Sequence, residues 1–163
     1  MLRELLKIYL LFIALFFLGR LGLYGIYFDR LEDISFTESL LSFLYGLKLD
    51  TMTTSIILVI PALFMAITPQ IGAKFVGRFL SGYVLFFLLV ALYIENATFP
   101  FVAQYDVRPN YLFIEYLKYP KEVSSMILKE YPIQLVIAFG MLLLVSWMYL
   151  RYSPLRLIEA IQT

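Results

Sequence analysis

The 163-residue chain contains no cysteine and no histidine. Without cysteine, disulfide bonds, thiolate metal sites and cysteine nucleophiles are excluded, and without histidine the commonest metal ligand and the usual general base near neutral pH are missing. The sequence also has no P-loop, no dinucleotide-binding glycine motif and no Ser/Lys arrangement. We therefore expect no complete enzyme within this chain, and we assign no catalytic residue and no metal ligand to it.

Charge is also scarce, at 15% of the residues, while 62% are hydrophobic and 18% aromatic. A soluble domain has about 45–50% apolar residues, so the excess predicts a membrane protein. The net charge of +1 is too balanced for a polybasic surface. Nucleic acid is therefore not expected as a partner.

Four stretches are long and apolar enough to cross a bilayer as helices, which takes about 20 residues each. They cover about residues 5–28, 48–67, 75–95 and 133–150. We predict an all-α integral membrane fold: a single transmembrane domain over residues 1–163, with extracytoplasmic interfacial helices at about 37–47 and 109–131.

The interfacial helices are predicted from amphipathic patterns and helix-start signals. Ser35 and Glu38 have the spacing of a capping box, and Pro109 and Pro120 can each open a short helix. Many tyrosines fall at the same membrane boundary, which is typical of an aromatic belt. The alternative for residues 109–131 is an ordinary ordered connector. The polar and aromatic residues assigned to this interfacial loop are Arg108, Asn110, Tyr111, Glu115 and Tyr116.

Orientation is predicted from the lysines and arginines of the short loops, which favour the cytoplasmic side. Basic residues dominate the amino end, the second loop and the tail, at Arg3, Lys7, Lys74, Arg78, Arg151 and Arg156. Acidic residues outnumber basic ones in the first and third loops. Four crossings with the amino terminus and residue 163 in the cytoplasm satisfy every loop.

Four charged residues lie in the outer half of the predicted spans, where charges are costly and usually face a partner or a wet cavity. They are candidates for binding a lipid headgroup: Arg20, Lys48, Asp50 and Glu95. Arg20 and Lys48 would contact the phosphate. Alternatively, Arg20 pairs with Asp50 or Glu95, or snorkels to the surface, and only fixes helix register.

Two segments resemble a known family. The stretch FLYGLKLD, residues 43–50, resembles the Gly-Leu-basic-x-Asp signature of the lipoteichoic acid synthase-like family, in the sulfatase and alkaline phosphatase superfamily. The stretch RPNYLFIEYLKYPKEV, residues 108–123, is similar to an outer loop of Gram-negative-type members. Together these segments cover about a quarter of the chain, in the family's order.

The resemblance implies an anchoring domain of a phosphoglycerol transferase in the bacterial cytoplasmic membrane. Family members have about five membrane helices followed by an extracytoplasmic catalytic domain, in which a metal-activated threonine transfers phosphoglycerol from phosphatidylglycerol. The expected partners are therefore a membrane phospholipid and the chain's own catalytic domain, and that domain would hold the Mn or Mg ion. This chain has four predicted spans and none of the family's nucleophile or metal ligands, so we expect a fragment, or a natural short protein.

Two other functions remain open. The anchor of a lipid A-type phosphoethanolamine transferase has the same layout but takes phosphatidylethanolamine as donor. A stand-alone membrane binding or assembly protein would have no catalysis. The reading frame beyond Thr163 separates the last alternative from the first two.

Overall fold

The computed structural model describes residues 2–31, 35–109, 111–116 and 118–162, and this part of the chain is helical and contains no strand. Six α-helices follow one another: α1 (Leu2–Ile26), α2 (Phe36–Ile67), α3 (Ala73–Tyr105), α4 (Tyr111–Tyr116), α5 (Pro120–Glu130) and α6 (Pro132–Gln162). Short 3₁₀ turns, Phe28–Leu31 and Gln70–Gly72, precede α2 and α3.

Four of these helices are long and apolar enough to span a membrane: α1, α2, α3 and the Pro132–Arg151 part of α6. The prediction of an all-α membrane protein with four spanning helices is confirmed, and the protein is a multi-pass membrane protein. At about 1.5 Å per residue, the 32 residues of α2 and the 33 of α3 each measure nearly 50 Å, well beyond the ~30 Å hydrocarbon layer. Both helices therefore extend into the headgroup region or beyond it.

Several helix limits differ from the predicted ones. The segment at 37–47 is continuous with the second span, the third span runs on to Tyr105, and the last helix passes residue 150 and reaches Gln162. Hydropathy detects where a chain leaves the apolar layer, whereas a helix ends only where its backbone bonding ends. The segment at 109–131 contains two helices, α4 and α5. Their position on the membrane surface stays a prediction.

The start of α2 follows its sequence signal. The Ser35 hydroxyl accepts from the backbone N–H of Glu38 at 3.3 Å, and the Glu38 carboxylate accepts from the backbone N–H of Ser35 at 2.9 Å. Both bonds of a capping box are therefore present, and they satisfy amides that a helix start leaves unpaired.

The chain divides into two compact units. The first comprises Met1–Leu88 and Tyr149–Thr163. Within it α1 and α2 pack antiparallel, since residues late in α1 contact residues early in α2, as in the ring contact between Tyr24 and Phe43 at 5.9 Å. The face that α2 buries recurs every three or four residues: Gly46, Asp50, Thr54, Ile57, Leu58, Pro61 and Met65.

A proline inside α2 is matched by a tyrosine of α3, also within the first unit. Pro61 has no N–H, so the carbonyl of Ile57, four residues earlier, lacks its usual helical donor. The Tyr83 hydroxyl donates to that carbonyl at 3.1 Å. The bond replaces the missing backbone contact and ties α2 to α3.

The same unit holds one close backbone approach. A Cβ atom placed on Gly77 of α3 would lie 2.6 Å from Ile158 Cγ1 and 3.0 Å from Ile158 Cα, on the last part of α6. Ser81, one turn further along α3, is also buried. Small residues spaced in this way allow two membrane helices to meet closely.

The second unit comprises Leu89–Met148. In the part of α3 that belongs to it, a stripe at three-residue spacing is buried: Leu92, Glu95, Thr98 and Phe101. The Thr98 hydroxyl donates to the carbonyl of Ile94 at 2.8 Å, which satisfies it within its own helix. Glu95 is thus the charged member of an otherwise neutral stripe.

Candidate functional site

The first charged cluster joins α1 to α2. Arg20 Nη2 lies 3.2 Å from Asp50 Oδ1 and 3.1 Å from Asp50 Oδ2. The two side chains retain 12% and 11% of their exposure, so the pair is largely shielded from its surroundings. Of the alternatives that the sequence left open for Arg20, the structure shows the pair with Asp50. A charge at this depth is tolerated because its counter-ion is in contact with it.

Gly46 makes room for this ion pair. A Cβ atom at Gly46 would collide with Arg20 Cζ and both terminal nitrogens of the guanidinium. Gly46 is one helical turn before Asp50, on the same buried face of α2. The guanidinium therefore lies against bare backbone at one residue and binds the carboxylate of the other.

Two neutral bonds flank the ion pair along the α1–α2 contact. Tyr9 and Thr51 share a hydroxyl–hydroxyl bond of 3.0 Å, and Tyr24 and Ser39 share one of 2.9 Å. Sequence reasoning did not select these tyrosines, because tyrosine near a membrane boundary first suggests the aromatic belt. These two bonds and the ion pair together fix the register of α1 against α2.

Not every buried polar atom near the pair is satisfied. Among the described residues, Arg20 Nη1 and Thr54 Oγ1 have no hydrogen-bond partner, although Thr54 is fully buried. Hydroxyls within a membrane span are expected to bond their own helix backbone or a neighbouring helix. Thr51 follows that expectation by bonding Tyr9, whereas Thr54 does not.

Lys48 does not share the buried face. It is exposed, and it is separated by two positions from Asp50, which places the two side chains about 200° apart around the helix. The structure thus brings Arg20 and Asp50 together and leaves Lys48 on another side of α2. A headgroup role for Lys48 stays a prediction.

The second charged cluster lies in the second unit. Arg108 Nη2 is 3.1 Å from Glu95 Oε1 and 3.1 Å from Glu95 Oε2, so a single nitrogen is shared between both carboxylate oxygens. The Glu95 side chain keeps 10% of its exposure and that of Arg108 keeps 44%. The fourth candidate, Glu95, therefore has a counter-ion that the sequence had assigned to the interfacial loop.

The turn that delivers Arg108 is built at the end of α3. Asp106 has a φ of 56°, in the left-handed region that Asp tolerates better than most residues, and its N–H bonds the Val102 carbonyl at 3.0 Å. The chain thereby reverses just after Tyr105. Arg108 can then reach Glu95, which lies ten residues before the helix end.

The structure describes some of the other residues of the predicted interfacial loop. Tyr111 and Glu115 are exposed on α4. Tyr116 closes α4, but its side chain lies outside the described part, as does Asn110 altogether.

The chemistry that the two ion pairs offer is anion binding and helix positioning. Among the described residues, no three Asp, Glu, His or Cys side chains gather in a way that could hold a metal ion. The two ion pairs provide guanidinium donors, which suit carboxylates and phosphates. No family model matches the chain, and no solved structure matches it.

Proposed function

We propose that this protein is the membrane-anchoring domain of a lipoteichoic acid synthase-like phosphoglycerol transferase that uses a phospholipid donor in the outer leaflet of a bacterial cytoplasmic membrane. The observation that carries the proposal is the arrangement of the Gly-Leu-Lys-Leu-Asp segment at residues 46–50. Its Gly46 and Asp50 act on the same partner, since one leaves room for Arg20 and the other binds it. Two positions of the segment that resembles the family signature therefore take part in one contact between α1 and α2.

The short helices α4 and α5 support the same proposal. Large side chains on them are exposed, including Tyr111 at 69% and Leu128 at 61%. Apolar and aromatic groups of this kind favour the membrane–water boundary, where they would cover the outer leaflet. A catalytic domain attached to such an anchor is confined near the plane of its lipid donor, which raises the donor's effective concentration.

Orientation can be tested directly because the chain has no native cysteine to interfere. We expect a single cysteine in place of the exposed Ser125 on α5 to react with a membrane-impermeant maleimide in intact cells. A cysteine in place of the exposed Lys74 at the start of α3 should react only after the membrane is opened. The measurement is the labelled fraction of each variant before and after permeabilisation. The reverse pattern would contradict the proposed orientation.

Activity is tested with the full-length protein encoded by the gene, reconstituted in vesicles with Mn²⁺ and a glycolipid acceptor. We expect diacylglycerol to form when phosphatidylglycerol is the labelled donor and not when phosphatidylethanolamine is. Vesicles with EDTA in place of the metal serve as the control. If diacylglycerol forms from phosphatidylethanolamine and not from phosphatidylglycerol, the protein would instead be the anchor of a phosphoethanolamine transferase. If neither lipid yields diacylglycerol, the result would favour a non-catalytic membrane protein.

A further inference from the structure

Arg108 and Arg20 are both held by a carboxylate, but they differ in how much of the side chain is exposed. The Arg20 side chain keeps 12% of its exposure and the Arg108 side chain keeps 44%. Arg20 also lies against the backbone at Gly46, so a ligand would have to displace packed atoms to reach it. The Arg108 side chain is exposed, although the carboxylate that holds it is largely buried.

The bonds of Arg108 leave part of its donor set unused by Glu95. Both contacts of 3.1 Å to the Glu95 oxygens come from Nη2. The N–H groups on Nη1 and Nε belong to the same rigid plane, so the contacts of Nη2 restrict the directions in which they can point. A guanidinium already held in one orientation loses less conformational freedom when it binds a second anion.

The depth of Arg108 suits a lipid phosphate. Glu95 closes the apolar run of α3 at 75–95, and α3 continues for ten residues, about 15 Å, to Tyr105. Because the chain turns back at Asp106, Arg108 meets Glu95 at the level where the apolar run ends. Headgroup phosphates lie just outside the hydrocarbon layer, at this same level.

We propose that Arg108, positioned by Glu95, binds the phosphate of a membrane phospholipid headgroup through the N–H groups that Glu95 does not use. In this arrangement Glu95 is a positioning residue and does not contact the lipid. The proposal deepens the proposed function and rests on it only for the identity of the donor. The binding assay below contains no acceptor and no turnover, so its failure is distinct from a failure of transfer.

The experiment uses the purified chain in neutral detergent and a short-chain phosphatidylglycerol, with binding measured by calorimetry. Arg108→Gln alone leaves the buried Glu95 without its counter-ion and can destabilise the fold. The test variant is therefore the double change Arg108→Gln and Glu95→Gln, which keeps size and hydrogen bonding and removes both charges. We expect this variant to melt like the wild type and to bind phosphatidylglycerol about tenfold more weakly, as for the loss of one charge-assisted contact.

Three comparisons make the result specific. Lys121→Gln removes an exposed charge from α5 and should leave binding within about twofold, since it removes only a screened surface charge. The matching diacylglycerol, which has no phosphate, should not bind, and free glycerol phosphate should bind more weakly than the lipid. If free glycerol phosphate bound as tightly as phosphatidylglycerol, the proposal that the ligand is a lipid would be wrong. Unchanged lipid binding by a folded double variant would overturn the site.

Discussion

Asp50→Leu should lower the free energy of unfolding by about 3–5 kcal/mol, the usual cost of removing one partner from a buried ion pair. Arg20 would then keep its charge inside the α1–α2 contact, with its side chain only 12% exposed and no carboxylate at 3.1 Å. The measurement is the SDS-induced unfolding of the purified chain in mixed micelles, followed by circular dichroism.

Two further variants separate the ion pair from other effects of the substitution. The double change Arg20→Leu and Asp50→Leu removes both charges and should recover most of the lost stability. Lys48→Leu adds the same side chain to the same helix at an exposed position and should change stability by less than about 0.5 kcal/mol. If Asp50→Leu were as mild as Lys48→Leu, the pair would not hold α1 against α2.

Gly77→Ala should destabilise the protein by about 1–3 kcal/mol, the range found when a methyl group is forced into a packed contact. The added Cβ would lie 2.6 Å from Ile158 Cγ1, and 3.0 Å from the Ile158 Cα. The side chain can rotate away, but the backbone atom moves only if the end of α6 moves. The expected result is a lower unfolding midpoint and earlier proteolysis within the last turns of α6.

Gly82→Ala is the matched control for this change. Gly82 lies on the same helix, and a Cβ atom there would meet nothing within 4 Å. Alanine favours a helix over glycine by nearly 1 kcal/mol in water, so the control should be neutral or slightly stabilising. If the two substitutions changed the stability equally, the close approach of Gly77 to Ile158 would not contribute to the free energy of unfolding.

Local features of the fold could be predicted from the sequence because they depend on neighbouring residues. The apolar runs are long enough to identify four spanning helices, and the Ser35–Glu38 spacing identifies the start of α2. Helix limits beyond the apolar layer could not be predicted in the same way. Residues 96–105 and 151–162 lie outside the predicted spans but remain helical.

The site was only partly predictable because its contacts join distant parts of the chain. The sequence singled out Arg20, Asp50 and Glu95 by the cost of a charge within a span. It could not choose between Asp50 and Glu95 as the partner of Arg20, since that choice depends on how helices pack. Gly46 was noticed only within a resemblance, because the need for a missing Cβ is visible only once the guanidinium lies beside it.

The hydrogen bond from Tyr83 to the Ile57 carbonyl fixes the position of α3 along the axis of α2. Apolar surfaces in lipid can slide past one another at little cost, because the hydrophobic effect does not hold them together there. Pro61 leaves the Ile57 carbonyl without its helical donor at one position along α2. The Tyr83 hydroxyl can donate to this carbonyl only when α3 lies at the matching position. Pro61 weakens its own helix, but through this bond it determines how far α3 is displaced along α2. The alignment of the two helices then depends on a contact within the protein and not on the thickness of the bilayer.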